Sequence, residues 1–199
     1  MDNFTQFKLL TLGNSKVGKT SFILKYTEDT FTTNTSTTIG IDYKDKYEIL
    51  KNNQKVKIAI YDTNGQERFK SLSLNYLKKA DGILLFYDIT DKESFDSIKE
   101  WMQSIYEIKD NNFPIVLIGN KIDMKDKRIV TKEEGESESL KYNIKFYETS
   151  CKDNINIKES ILFLIYKILG NIQEEKDKEK NENIVLNTEE HKKKKHRKC

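Results

Sequence analysis

The chain has 199 residues, of which 36% are hydrophobic and 34% charged. That is one domain, or one domain with a tail, and the high charge implies that part of it is solvated. No apolar run approaches the ~18–20 residues of a membrane span, and the early Asp2 and Lys8 exclude a signal peptide. Two cysteines, Cys151 and Cys199, make no disulfide framework, so the chain reads as cytosolic and reduced.

Net charge is +3, but it is unevenly placed: residues 191–199 hold six Lys/Arg, both histidines and no acid. Without them 29 basic residues face 32 acidic ones, a balance of −3. The basic character is terminal, so no nucleic-acid partner is expected.

Taken in chain order, Phe7–Gly13 is an apolar strand ending in a glycine turn, followed by a helix from Lys19 to Glu28. Between them, Gly13-Asn14-Ser15-Lys16-Val17-Gly18-Lys19-Thr20 fits the phosphate-loop pattern G-x-x-x-x-G-K-[ST]. Its glycines let the backbone wrap a phosphate, and the helix start aims positive potential at the same place. The candidate cradle is Ser15, Lys16, Val17, Gly18, Lys19, Thr20 and Ser21; Lys19 reaches the outer phosphates and Thr20 offers a hydroxyl to Mg²⁺.

Ile41–Leu50 and Lys55–Tyr61 read as a hairpin turning at Lys51–Gln54. The second strand runs into Asp62, an acidic group suited to Mg²⁺, directly or through water. Gly82–Asp88 is a buried strand, and Phe95, Ile98, Trp101/Met102, Ile105 and Ile108 recur at helical spacing. Pro114–Gly119 is another buried strand, followed by Asn120-Lys121-Ile122-Asp123. Guanine presents two adjacent N–H donors, which one carboxylate at Asp123 can accept; adenine has no such pair. Lys121 can lay its stem over a purine.

Thr131–Tyr142 reads as a helix whose Thr131 and Glu134 make a capping box. Ile144–Glu148 is a short strand, and Thr149-Ser150-Cys151-Lys152 after it can offer backbone N–H groups to the guanine oxygen. Cys151 then need only be small, and as a thiol it is expected to be buried and inert. Ile157, Ile161, Leu164/Ile165, Ile168 and Ile172 mark the last helix. Residues 171–199 lack periodicity. The fold class is α/β: a six-stranded, mostly parallel sheet with one antiparallel edge strand, helices on both faces, in residues 1–170, with a disordered tail over 171–199. Ligands of such sheets bind beyond the carboxyl ends of the strands.

The phosphate loop, Asp62-Thr63-Asn64-Gly65-Gln66, Asn120-Lys121-Ile122-Asp123 and Thr149-Ser150-Cys151-Lys152, in this order, resemble the Ras-like P-loop GTPases, and within them the Rab branch. The resemblance covers about residues 7–170. Rab-type stretches stand as Ile39-Gly40-Ile41-Asp42-Tyr43-Lys44, Lys57-Ile58-Ala59-Ile60-Tyr61, Phe69-Lys70-Ser71-Leu72-Ser73 and Leu85-Phe86-Tyr87-Asp88-Ile89-Thr90. Gly13-Asn14-Ser15 and the run 152–158 look most like exocytic Rabs.

The resemblance implies a GTP-binding switch that hydrolyses GTP to GDP in vesicle trafficking, slowly without an activating protein. It implies that Thr38 senses the γ-phosphate and binds Mg²⁺ with Thr20 and Asp62, and that Phe31 packs edge-on against guanine. Gln66 would orient the attacking water, and Gly65 and Lys19 would stabilise the transferring phosphoryl group. Asn120, Lys121 and Asp123, with Ser150, Cys151 and Lys152, would hold the base. Ile41, Tyr43, Tyr61 and Tyr76 would form an effector surface. Partners implied are an exchange factor, a GTPase-activating protein, a prenyl-binding escort or dissociation inhibitor, effectors and an anionic membrane. The implied location is the cytoplasmic face of endomembranes or vesicles, with a cytosolic pool.

Departures from the family are specific. Tyr61 stands where Trp is usual, Asn64 where Ala is usual and Lys16 where a small residue is usual. Lys16 either adds charge near the nucleotide or points to solvent. Leu77-Lys78-Lys79-Ala80 departs from Tyr-Arg-Gly-Ala, and a single cysteine, Cys199, ends the chain where two are usual. One prenyl group on Cys199 anchors only marginally, and the adjacent basic run supplies the second signal at about 1 kcal/mol per residue. Two rival readings follow: a guanine-nucleotide-binding module that Asn64 keeps from hydrolysing, and an ATP-dependent phosphotransferase, against which Asp123 argues.

Asn64 adds a side-chain amide where the Gly65 backbone must approach the γ-phosphate. Asn64→Ala is predicted to raise intrinsic hydrolysis several-fold and leave GDP affinity nearly unchanged. A tenfold change needs only ~1.4 kcal/mol in the barrier, about one hydrogen bond. The measurement is single-turnover phosphate release from preloaded protein at saturating Mg²⁺; an unchanged or slower rate would show that Asn64 is accommodated.

Overall fold

The computed structural model describes residues 4–32, 41–63 and 70–173. The chain divides into two units, Met1–Ile165 and Tyr166–Cys199. In chain order the elements are β1 (Thr5–Leu12), α1 (Lys19–Glu28), β2 (Ile41–Ile49), β3 (Lys55–Thr63), α2 (Lys70–Lys79) and β4 (Gly82–Asp88). Then come α3 (Lys92–Asp96), α4 (Ile98–Tyr106), β5 (Ile115–Asn120), α5 (Lys132–Lys141) and β6 (Lys145–Thr149). Residues 157–165 are helical and close the first unit; 166–173, the described part of the second, are helical too.

The six strands lie in the order β2-β3-β1-β4-β5-β6. Among the described strands β1, β3, β4, β5 and β6 pair in parallel, and only β2 runs antiparallel, at the edge beside β3. β1 is followed by elements on one side of it and β4 opens the other. The sheet therefore switches direction at β1 and β4, and it is beyond the carboxyl ends of such strands that open α/β sheets take their ligands.

Every residue of β4 and β5 is buried, as expected of central parallel strands covered on both faces. Alternate residues serve the two faces. Leu10, Leu12, Ile83, Leu85, Tyr87, Ile115 and Leu117 join Phe95, Ile98, Trp101, Met102 and Ile105 of α3 and α4 in one core. Phe86 points the other way, its ring edge-on to Phe22 of α1 at 5.0 Å. Among the described residues no helix is long and apolar enough to cross a membrane.

The hairpin turns as expected: Leu50 and Gln54 pair, and Asn53 takes a left-handed φ of 61°. β3 runs on to Thr63, two residues beyond the apolar stretch, because Asp62 and Thr63 keep pairing with β2. α2 has no counterpart among the expected elements. The single helix expected over 95–108 is two short ones. Asp91 caps α3 through Glu93 N–H, and the Ser97 hydroxyl bonds back to the Glu93 carbonyl. Such back-bonding bends a helix. The Thr131–Glu134 capping box forms in both directions, at 3.2 and 2.8 Å.

Thr131→Ala removes that box. It is expected to cost about 1 kcal/mol and to lower the unfolding midpoint by about 2–4 °C, read by thermal denaturation of the full-length protein.

Candidate nucleotide-binding site

The phosphate loop is the bend between β1 and α1, and two glycines make it possible. Gly13 has φ 128° and Gly18 φ 98°, backbone that side-chain-bearing residues rarely adopt. A Cβ at Gly13 would lie 2.2 Å from the Phe86 carbonyl oxygen, and one at Gly18 would lie 2.3 Å from Asn120 Nδ2. The loop is thus pressed against β4 on one side and the end of β5 on the other. Lys16 also has positive φ, 65°, and is exposed. Its side chain takes the solvent-facing alternative.

Lys19 is 5% exposed, and its Nζ donates to the backbone oxygens of Gly13 and Asn14, both at 2.8 Å. Burial lowers its pKa to about 8, partly offset by the negative charge of Asp62. A poorly solvated ammonium, ringed by backbone, gains strongly from an anion. The start of α1 is prepared the same way: no described side chain caps it and its first turn carries no acid. By contrast, Asp91 and Thr131 cap the starts of α3 and α5.

Thr20 Oγ1 donates to Asp62 Oδ2 at 2.6 Å, and Asp62 is 3% exposed. Asp62 is fixed by a ladder between β1 and β3 that sequence reading passed over. Thr63 Oγ1 donates to the Thr11 carbonyl at 2.6 Å, and Thr11 Oγ1 donates to the Tyr61 carbonyl at 3.2 Å. Two buried threonines near the ends of neighbouring strands, one residue out of register, are the signal that marks this ladder.

The loops after β5 and β6 meet the phosphate loop through Asn120. Its Nδ2 donates to the Val17 carbonyl at 2.9 Å. Its Oδ1 accepts from Thr149 Oγ1 at 3.0 Å and from Cys151 Sγ at 3.7 Å. At 1% exposure, Asn120 is a bridge between three loops. Lys121 has a left-handed φ of 69°, and its Nζ sits on the Lys16 carbonyl at 2.8 Å and on Asp88 Oδ2 at 2.6 Å. Asp88, the last residue of β4, is a member of this site that the sequence did not reveal. Asp123 Oδ1 accepts from Ser150 Oγ at 2.8 Å, and Ser150 Oγ accepts from the Asp153 N–H at 3.0 Å. Lys152 is exposed, Phe31 is 39% exposed, and Ser15 and Ser21 are half-buried.

Tyr43, Tyr61 and Tyr76, from β2, β3 and α2, form a row of rings at 5.4 and 5.3 Å. Ile41 begins β2 beside Thr63. Thr38, Asn64, Gly65, Gln66 and Cys199 lie outside the described residues.

The arrangement brings a buried lysine, an uncapped helix start, a hydroxyl–carboxylate pair and a carboxylate held by a serine to one edge of the sheet. Such a set can bind a polyphosphate at one end and a hydrogen-bond-donating base at the other. The model of the Ras family matches residues 8–170. The chain is 42% identical to Ras-related protein Rab-3C of Bos taurus over 168 residues, 84% of this chain and 74% of the relative. It is 41% identical to Ras-related protein Rab-3A of Homo sapiens over 171 residues, 86% of this chain and 77% of that protein. With Ras-related protein Rab-8B of Pongo abelii it shares 45% over 163 residues, 82% and 78% of the two chains.

Cys151 is 4% exposed, and burial pushes its thiol up to about 12, slightly offset by the bond to Asn120. The thiolate is the reactive form. In a Cys199→Ser protein at pH 8, a thiol-reactive disulfide reagent is expected to label the native chain at least about 100-fold more slowly than the denatured one, with the rate rising as pH rises.

Proposed function

The chain belongs to the Ras family, in its Rab branch, and on that premise we propose how its residues run the switch. It is a Rab-like GTPase that binds GTP and GDP, hydrolyses one to the other and acts in membrane trafficking through regulators and effectors. This kinship does not favour a module locked in one nucleotide state.

The observation that carries the assignment of roles is Lys19 buried beside the Thr20–Asp62 pair, at the uncapped start of α1. In this reading Lys19 neutralises charge on the outer phosphates, and the first-turn N–H groups of Thr20 and Ser21 and the loop N–H groups of Ser15 to Gly18 cradle them. Thr20 Oγ1 and Asp62 Oδ2, hard oxygen donors 2.6 Å apart, fit Mg²⁺ and would hold it together with Thr38. The ion, when bound, neutralises charge on the β- and γ-phosphates. Gln66 positions the attacking water, and the Gly65 N–H meets the γ-phosphate.

At the other end Asp123 accepts from guanine, Lys121 covers the ring with its stem, and Phe31 packs on its edge. Asn120 acts by holding Val17, Thr149 and Cys151 in register, and the backbone of Ser150, Cys151 and Lys152 meets the guanine oxygen. Residues 1–170 are then the switch. An exchange factor releases GDP and an activating protein speeds hydrolysis. Effectors read Ile41, Tyr43, Tyr61 and Tyr76. The tail, 171–199, carries one prenyl group on Cys199, which an escort or dissociation inhibitor masks in the cytosol. Six basic residues near it favour an anionic cytoplasmic leaflet.

Asp123→Asn tests the base site. With its oxygen kept on Ser150, the new amide would present N–H groups to guanine's own donors, so GTP affinity is expected to fall about 100-fold. Xanthosine triphosphate, whose 2-oxo group accepts, should then bind better than GTP. Competition against labelled nucleotide measures both; unchanged preference would overturn the assignment.

A further inference from the structure

We propose that Asn14 is a positioning residue that ties the phosphate loop to the junction of α3 and α4, so that Ser97 and Trp101 set how long the nucleotide is held. The proposal rests on the nucleotide reading above.

Asn14 faces two ways. Its backbone oxygen accepts from Lys19 Nζ at 2.8 Å. Its side chain reaches residues more than 80 positions away: Nδ2 donates to Ser97 Oγ at 3.0 Å, and Oδ1 accepts from Trp101 Nε1 at 3.0 Å. Both side-chain bonds are partly buried, where a lost partner costs more than at the surface.

The chemistry allows one arrangement. An indole N–H only donates, so Asn14 must turn its oxygen to Trp101. The amide nitrogen is then left for Ser97. The Ser97 hydroxyl already gives its hydrogen to the Glu93 carbonyl at 2.8 Å, so it can accept from Asn14. A side chain of this length with one donor and one acceptor serves both partners together. Aspartate would keep the bond to Trp101, but Ser97 would have to turn its hydrogen away from Glu93.

The coupling has a direction. Ile98, Met102 and Ile105 of α4 are fully buried against β4 and β5, so this helix moves only with the core. The loop by contrast is held in left-handed backbone at Gly13, Lys16 and Gly18. Asn14 transmits the position of the rigid element to the carbonyl that holds Lys19. Without that tie the loop still closes, but its residence in the closed form shortens, and nucleotide leaves faster. Trp101 is the single tryptophan of the chain, so its emission reports this contact.

The test uses the full-length protein loaded with N-methylanthraniloyl-GDP, chased with unlabelled GDP at saturating Mg²⁺. Asn14→Ala and Trp101→Phe are each expected to release the label about five- to tenfold faster than wild type, the loss of one or two hydrogen bonds. The double variant should release no faster than Asn14→Ala alone, because both changes cut one connection. Asn14→Asp, close in shape to the native residue, should fall between wild type and Asn14→Ala. The wild-type tryptophan emission should differ between GDP-bound and nucleotide-free protein, and lose that difference in Asn14→Ala. Thr131→Ala, destabilised through its cap but outside the Asn14–Ser97–Trp101 contacts, should release at the wild-type rate. Variant rates within about twofold of wild type, additive effects in the double variant, or equal acceleration by Thr131→Ala would each overturn the positioning role while leaving the nucleotide reading intact. A wild-type protein that does not retain labelled GDP would overturn both.

Discussion

A buried ammonium organises this molecule. Lys19 sits at 5% exposure with its charge held by two backbone carbonyls, and its pKa is drawn down to about 8 because burial outweighs the pull of Asp62. Such a cation is costly until an anion arrives. The loop can curl around it only because Gly13 and Gly18 accept left-handed backbone and because neither carries a Cβ. Replace either and the backbone of Phe86 or the amide of Asn120 stands in the way. The buried cation thus sits in backbone geometry that side-chain-bearing residues rarely adopt.

That geometry is held from several sides at once. β1 delivers the loop, and the Thr11–Thr63 ladder fixes β3 so that Asp62 meets Thr20. From the β5 end, Asn120 and Lys121 grip the carbonyls of Val17 and Lys16. Asn14 joins the loop to α3 and α4. The loop after β1 and the loop after β5 are therefore mechanically one object: a shift at β5 reaches the first loop through two hydrogen bonds. Kinship with Rab proteins gives that object its use as a guanine-nucleotide switch.

The tyrosine row answers a question that the substitution of Tyr61 for tryptophan raised. The smaller ring still touches Tyr43 on one side and Tyr76 on the other. Since Tyr61 lies one residue before Asp62 on β3, the aromatic row and the hydroxyl–carboxylate pair share a strand. Anything that reorders the end of β3 is felt by both.

The sequence by itself determined the elements whose signals are local. The G-x-x-x-x-G-K-T spacing marked the loop, the Thr131–Glu134 pair marked the start of α5, and the apolar run Gly82–Asp88 marked β4 to the residue. Alternating strands and helices were enough for a mostly parallel sheet with an antiparallel edge. What only the tertiary structure decided depends on which chain ends the sheet order brings together. Asn120 reads as a base-site residue by motif, yet its side chain bonds to Val17, 103 positions away. Asp88 ends β4 like any acidic turn residue until β5 places Lys121 beside it. Asn14, Ser97 and Trp101 carry no shared local pattern. The break between α3 and α4 at Ser97 is a local choice that apolar periodicity does not encode. Periodicity reports which face of an element is buried; it does not report which distant donor will find which acceptor, because that is fixed only when the strands have been ordered.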